Sequence, residues 1–116
     1  MFRAQLRAVS VIASCATILA TAAVAAPPAD GTLARQLAER HACLGCHAID
    51  RKLVGPAYRE VAARYANDPG AADKLALHIR IGSAGAWGAV PMPPNRIDAG
   101  DARLLADWIL AGAHTQ

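Results

Sequence analysis

The sequence predicts an all-α fold of about four short helices, and three observations support this prediction. In several short segments the apolar side chains recur every three or four residues, which places them on one face of a helix. No segment shows the strict alternation of apolar and polar residues that is typical of a half-buried strand. Most of the 9 glycines and 7 prolines among the 116 residues lie between the periodic segments, where they interrupt helices.

The first predicted helix follows a short linker at residues 26–31 and runs through Arg40. Asp30 or Thr32 is the candidate N-terminal cap, since both side chains can accept a hydrogen bond from a free backbone N–H. Its predicted apolar face consists of Leu33, Ala34, Leu37 and Ala38. A loop is expected at residues 49–56, because its final pair, Gly55-Pro56, cannot continue a helix.

Two further helices are predicted at residues 58–65 and at residues 71–81. They are separated by Asn-Asp-Pro-Gly at residues 67–70, a sequence typical of a turn. The third helix carries Leu75, His78 and Ile79 on one face, and Gly82 provides its stop.

Residues 82–96 contain three glycines and three prolines, so this segment is predicted to be irregular. A long loop of this kind is usually functional. The last helix is predicted to begin at Asp98 as its cap, with Asp101 three residues later, and to end at Gly112. Its apolar face consists of Leu104, Leu105, Trp108 and Ile109.

The N-terminal segment has the pattern of a secretory signal. Arg3 and Arg7 precede an uncharged stretch from residue 8 to residue 26, which contains Ala-Val-Ala at residues 23–25 as a cleavage site. We therefore predict a signal peptide at residues 1–25, a mature domain at residues 26–116, and export to the periplasm. Two alternatives remain, an uncleaved membrane anchor and lipidation at Cys15.

The charge of the mature chain excludes some classes of partner. Of the 12 basic residues, Arg3 and Arg7 leave with the signal, so 10 basic and 9 acidic residues give a formal charge of +1 instead of +3. A nearly neutral chain lacks the excess of positive charge with which a protein binds nucleic acid. Neither nucleic-acid binding nor permanent membrane insertion is expected.

The sequence Cys-Leu-Gly-Cys-His at residues 43–47 is the attachment signature of a c-type haem. Cys43 and Cys46 would form thioethers with the porphyrin, and the neutral imidazole of His47 would bind the iron. A zinc site or a redox dithiol uses the same cysteine spacing, but neither a second ligand pair nor a strand-helix-strand context is present in the sequence. The two cysteines would then be unavailable for a disulfide, and the haem would supplement the small core.

Met92 is the candidate second iron ligand, because it is the one methionine besides Met1 and it lies in a proline-rich loop. A methionine taken alone is more often a core residue. His41 lies too near the motif to reach the opposite haem face, and His114 lies in the C-terminal tail. His78 is the serious rival, either as a ligand of the iron or as a neighbour of a propionate.

Four segments together resemble the bacterial cytochrome c-551 family of class I c-type cytochromes. They are CLGCHAID at residues 43–50, VGPAY at 54–58, WG at 87–88 and PMPPN at 91–95. The resemblance covers essentially the whole mature chain and implies one covalently bound haem c within the class I fold. The family usually has an aromatic residue on the first helix against that of the last; this chain offers Leu33, Leu37 and Ala38 to Trp108, which predicts looser packing there.

The resemblance also assigns supporting roles. The carbonyl of Pro56 would accept a hydrogen bond from His47, and Asn95 would bond near the Met92 sulfur. The Trp87 indole would point at a propionate, and His78 would lie near one. Taken without the family, Trp87 is a packing residue, Asn95 a turn residue and His78 a half-exposed helix residue.

The function implied is that of a monomeric, soluble periplasmic electron carrier with His/Met-ligated haem, which is not an enzyme. Its expected partners are redox proteins such as the cytochrome bc1 complex, a nitrite reductase, a terminal oxidase or a peroxidase. One rival is a ligand-binding sensor or a peroxidase-like protein, whose sixth iron position would be displaceable. The other rival is a haem-free zinc or dithiol protein that uses Cys43 and Cys46.

Overall fold

The computed structural model describes residues 31–114, and within this range the chain is helical without a β-strand. The elements are α1 (Gly31–Arg40), a short 3₁₀ turn (Cys43–Gly45), α2 (Tyr58–Tyr65), α3 (Ala71–Ile81) and α4 (Ala99–Leu110). The prediction of an all-α fold with about four short helices is therefore confirmed. The predicted signal peptide at residues 1–25, its cleavage site and most of the linker lie outside the described residues.

Helix α1 differs in two details from the expected pattern. It begins at Gly31, so Thr32 lies within its first turn and not before it, while Asp30 lies outside the described residues. Leu33 is 44% exposed, whereas Leu37 is 2% exposed. Periodicity placed Leu33 on the buried face, but α1 packs on α4 and on the 3₁₀ turn, and these contacts leave Leu33 on the solvent side.

Helix α4 is central to the fold, because α1, α2 and α3 all pack against it. Its Trp108 is 4% exposed and meets the ring of Tyr58 edge-on, with 5.6 Å between the ring centroids. Both α1 and α4 contribute alanines to the core, and Ala38 and Ala106 are fully buried. Trp108 is therefore buried without an aromatic residue on α1, while the looser packing expected at this helix crossing stays a prediction.

Residues next to α4 in sequence stabilise both of its ends, where backbone groups have no partner within the helix. The carboxylate of Asp98 accepts a hydrogen bond from the Asp101 N–H at 2.9 Å, as the capping pattern predicts. At the other end Gly112 has a φ of 93°, which suits glycine after a helix. The indole N–H of Trp108 donates to the carbonyl of His114 at 3.0 Å. The tail is therefore fastened to α4 at least as far as His114.

Replacing Asp98 with alanine is expected to lower the free energy of unfolding by about 1 kcal/mol, because the N-cap acceptor is lost. Denaturant unfolding of the haem-loaded protein measures this change. Asp50→Ala is the matched control, since it removes the same charge from an exposed loop and is expected to change stability by less than about 0.5 kcal/mol. Equal losses in the two variants would contradict a capping role.

Candidate functional site

A cavity of about 220 Å³ lies among α2, α3, α4 and the loops that carry the predicted motifs. All eight predicted site residues line it: Cys43, Cys46, His47, Pro56, His78, Trp87, Met92 and Asn95. Core residues such as Val61, Leu75 and Ile109 form part of its wall, so it is largely apolar. The fold thus brings together residues that are up to 52 positions apart in sequence.

The imidazole of His47 is held from two sides. Its Nδ1 lies 2.8 Å from the carbonyl oxygen of Pro56. Because a carbonyl only accepts, Nδ1 carries a proton, and in the neutral imidazole Nε2 then keeps its lone pair. The ring also stacks on Tyr58, with 5.2 Å between centroids and 20° between planes. This arrangement fixes the tautomer and the orientation that a metal-binding imidazole needs.

Tyr58 itself is 3% exposed. Burial, with a smaller contribution from nearby Cys43, raises the pKa of its phenol well above the usual range. The side chain against His47 is therefore a neutral aromatic ring at any physiological pH. The sequence predicted the helix that carries Tyr58 but not this stacking contact.

Gly55 contacts the same imidazole. A Cβ at this position would lie 2.5 Å from Cε1 of His47, too close for any side chain. The N–H of Gly55 donates to the carbonyl of Cys46 at 2.8 Å, which brings this segment back onto the motif. The sequence indicated only that Gly55-Pro56 interrupts a helix; the steric requirement depends on the fold and could not be predicted from a local pattern.

The two cysteines of the motif are not joined to each other, and both border the cavity. Cys43 is the first residue of the 3₁₀ turn and Cys46 directly follows the turn, which begins after Ala42 in a left-handed conformation with a φ of 55°. Burial raises the pKa of the half-buried Cys43 thiol, while Cys46 is exposed. Within residues 31–114 no group of three His, Cys, Asp or Glu side chains could hold a metal ion, so the zinc alternative has no ligand set there.

The backbone of Met92 is held by Ser83. The two residues form an isolated antiparallel bridge. The Ser83 N–H donates to the Met92 carbonyl, with 3.0 Å between N and O, and the Met92 N–H donates to the Ser83 carbonyl at 2.8 Å. Gly82, just before the bridge, has a φ of 80°, and a Cβ there would lie 2.5 Å from the Met92 carbonyl oxygen. The sequence placed this methionine in a proline-rich loop, whose prolines limit the freedom of the backbone. The bridge to Ser83 is a second restraint, which no local pattern indicated.

Asn95 has different partners from those expected. Its side-chain amide donates to the carbonyl of Ile79 at 3.0 Å, and its backbone N–H donates to that of Arg80 at 3.2 Å. No hydrogen bond to the Met92 sulfur occurs among the described residues. The last carbonyls of α3 have no partner within the helix, and Asn95 satisfies two of them. It fastens the loop after Met92 to α3.

Trp87 and His78 are both half-buried at the cavity. The guanidinium of Arg64 lies over the Trp87 ring, 4.3 Å from its centroid. Neither the Trp87 indole N–H nor the His78 imidazole has a hydrogen-bond partner among residues 31–114. Both remain able to bond a polar group within the cavity.

These donors suit a haem. Two unpaired thiols, an imidazole with a free Nε2 and a thioether border one largely apolar cavity, and these are the groups that bind a c-type haem covalently and through its iron. Trp87 and His78, which also line the cavity, have side chains of the kinds that bond a propionate.

Comparison with known proteins agrees with this geometry. The cytochrome c family model matches residues 32–113. The chain is 48% identical over 89 residues to cytochrome c-551 of Stutzerimonas stutzeri, which covers 77% of this chain and 86% of that protein. It is 49% identical over 75 residues to cytochrome c-552 of Nitrosomonas europaea, covering 64% of this chain and 73% of that protein. The crystal structure of wild-type Nitrosomonas europaea cytochrome c552 superimposes with a TM-score of 0.65 at 47% identity, covering 66% of this chain and 96% of that one.

Proposed function

Because this chain belongs to the cytochrome c family, as a class I monohaem protein of the c-551 type, we propose that it is a periplasmic one-electron carrier. The chain binds one covalently attached haem c. When bound, this haem supplies a ferric/ferrous couple whose potential is raised by His/Met ligation. The observation that carries the proposal is the cavity bordered at once by Cys43, Cys46, His47 and Met92.

Each of these residues has a proposed role. Cys43 and Cys46 form the thioethers, His47 Nε2 is one axial ligand, and the Met92 sulfur is the other. The hydrogen bond to Pro56 supports His47 as a ligand, because it leaves Nε2 unprotonated. The bridge between Ser83 and Met92 supports a filled sixth position, because a weak ligand needs a fixed backbone. An electron carrier needs no open iron position, and we therefore propose that the protein acts as a carrier and not as an enzyme.

We further propose that residues 1–25 are a signal peptide and that the mature domain of residues 26–116 acts in the periplasm as a monomer. The export pattern in the sequence supports this location. Within residues 31–114 no helix is both long and apolar enough to cross a membrane.

The proposed docking surface includes Leu44, Gly45 and the loop at residues 90–94. Val90 is 64% exposed, and Gly45 and Pro91 are exposed as well. A nearly neutral mature chain favours docking through such an apolar surface over long-range steering by charge. The proposed partners are the cytochrome bc1 complex as donor and a nitrite reductase, terminal oxidase or peroxidase as acceptor.

The visible spectrum of the exported protein, oxidised and reduced, tests the function. We expect covalently bound haem and, in the ferric form, the weak far-red band of methionine sulfur on iron. Haem without that band, together with ready binding of carbon monoxide to the reduced protein, would instead indicate a ligand-binding sensor. Colourless protein with titratable thiols would indicate the haem-free alternative.

A further inference from the structure

Arg64 makes two contacts with one loop, and the proposed function does not explain these contacts. It lies in the last turn of α2, and its Nη1 donates to the carbonyl of Ala86 at 2.6 Å. The same guanidinium lies over the ring of the next residue, Trp87, 4.3 Å from the ring centroid. One planar cation therefore holds two adjacent residues that are 22 and 23 positions further along the chain.

The loop contacted by Arg64 is the one that carries Met92. We define the 83–92 loop by its end residues, Ser83 and Met92, which are paired by the two hydrogen bonds of the bridge. Between them the chain has no regular structure, and Gly85 and Gly88 have φ angles of 76° and 117°. Glycines in such conformations leave a backbone with much freedom to lose on ordering. The bridge fixes the base of this loop but not its middle.

Arg64 supplies a restraint at the middle of the loop. Ala86 and Trp87 both border the cavity that Met92 borders, whereas Arg64 is exposed and does not line it. Its contacts therefore reach the site through the loop. Arg64 makes no ion pair within residues 31–114, so the weakness of exposed ion pairs does not apply to it. Its partners are the carbonyl of Ala86 and the aromatic ring of Trp87.

We propose that Arg64 is a positioning residue for the iron ligand Met92, and that it acts by holding Ala86 and Trp87 so that the 83–92 loop stays closed. This inference rests on the proposed function, because it takes Met92 as the axial ligand. A thioether is a weak ligand, so the fraction of time that it is bound depends on how rarely its loop opens. Loss of Arg64 leaves the ligand in place but makes it easier to displace.

The test is displacement of Met92 by imidazole in the ferric haem-loaded protein, followed by loss of the far-red band. Arg64→Met keeps much of the side-chain volume but removes the charge and the donors. We expect it to increase the apparent affinity for imidazole by about two- to fivefold, the size expected for loss of one exposed cation–π contact. Arg59→Met is the matched control, since Arg59 is an exposed arginine of α2 with no side-chain hydrogen bond or ion pair among residues 31–114, and its affinity should equal that of the wild type.

Amide hydrogen exchange supplies a readout that needs no added ligand. We expect the N–H groups of Ser83 and Met92 to exchange faster in Arg64→Met by a similar factor, because both lie in the bridge. Equal imidazole affinities in Arg64→Met and Arg59→Met would overturn the proposal. A higher affinity without faster exchange would also overturn it, because Arg64 would then act on the iron by its charge and not through the loop.

The spectrum of the wild type separates this inference from the proposed function. If the far-red band is absent, ligation by Met92 fails and the role of Arg64 fails with it. If the band is present and Arg64→Met behaves as the wild type in both measurements, only the positioning role of Arg64 is wrong.

Discussion

Replacement of Met92 by alanine is expected to abolish the far-red band and to lower the reduction potential by on the order of 0.1–0.3 V, within the ~0.8 V range that axial ligands span. The physical reason is that a thioether stabilises ferrous iron relative to ferric iron, and alanine offers no donor. The covalent haem should remain, since Cys43, Cys46 and His47 are unchanged. Potentiometric titration of the purified variant, with its spectrum, measures both effects.

Val90→Ala is the matched control, because Val90 lies in the same loop and is 64% exposed. Its potential and far-red band should equal those of the wild type. The Met92 variant should also bind carbon monoxide readily when reduced, because the sixth position is then open. If it kept the wild-type potential and remained closed to carbon monoxide, another residue would be the ligand. His78, which borders the cavity, would then be the first residue to test by mutation.

The helices were predictable because residues close in sequence determine where each helix begins and ends. The bounds of α2 and α3 coincide with those predicted, since Gly55-Pro56, the turn at residues 67–70 and Gly82 interrupt the helical pattern on both sides. The cap of α4 was likewise predictable, because Asp98 acts on a backbone N–H only three residues away. Leu33 was wrongly placed, because periodicity gives the width of an apolar face but not how much of it a neighbouring helix covers.

The residues of the site were predictable, but several of their contacts were not. The motif, the proline-rich loop and the family resemblance indicated all eight residues that line the cavity. The bridge from Ser83 to Met92, the bond from Asn95 to Ile79 and the contact of Arg64 with Trp87 join segments that are distant in sequence or use atoms of the backbone. No residue type or spacing signals such contacts, which arise only when the helices pack. The roles of the eight residues toward haem stay predictions until the variants are measured.

Gly55→Ala is expected to lower the free energy of unfolding of the haem-loaded protein by about 1.5–3 kcal/mol, the cost of overpacking together with weakening of a supported metal ligand. The new Cβ would lie 2.5 Å from Cε1 and 2.8 Å from Nδ1 of His47. Because the imidazole is already held by the Pro56 carbonyl and by the Tyr58 ring, it can move away only by breaking one of these contacts. Denaturant unfolding, followed both by haem absorbance and by helical circular dichroism, measures the loss.

Gly45→Ala makes the same chemical change between the two cysteines of the motif, and it distinguishes a steric effect from the general effect of adding a methyl group. Apart from the adjacent residues, no protein atom lies within 4 Å of a Cβ at position 45, and the two positions between the cysteines are unspecified in the attachment signature. Its stability should lie within about 0.5 kcal/mol of the wild type. Equal losses in the two variants would mean that chain flexibility, and not the space beside the imidazole, requires glycine at position 55. A selective loss in Gly55→Ala, with an altered absorbance spectrum before unfolding, would show that this glycine keeps His47 in the position that binds iron.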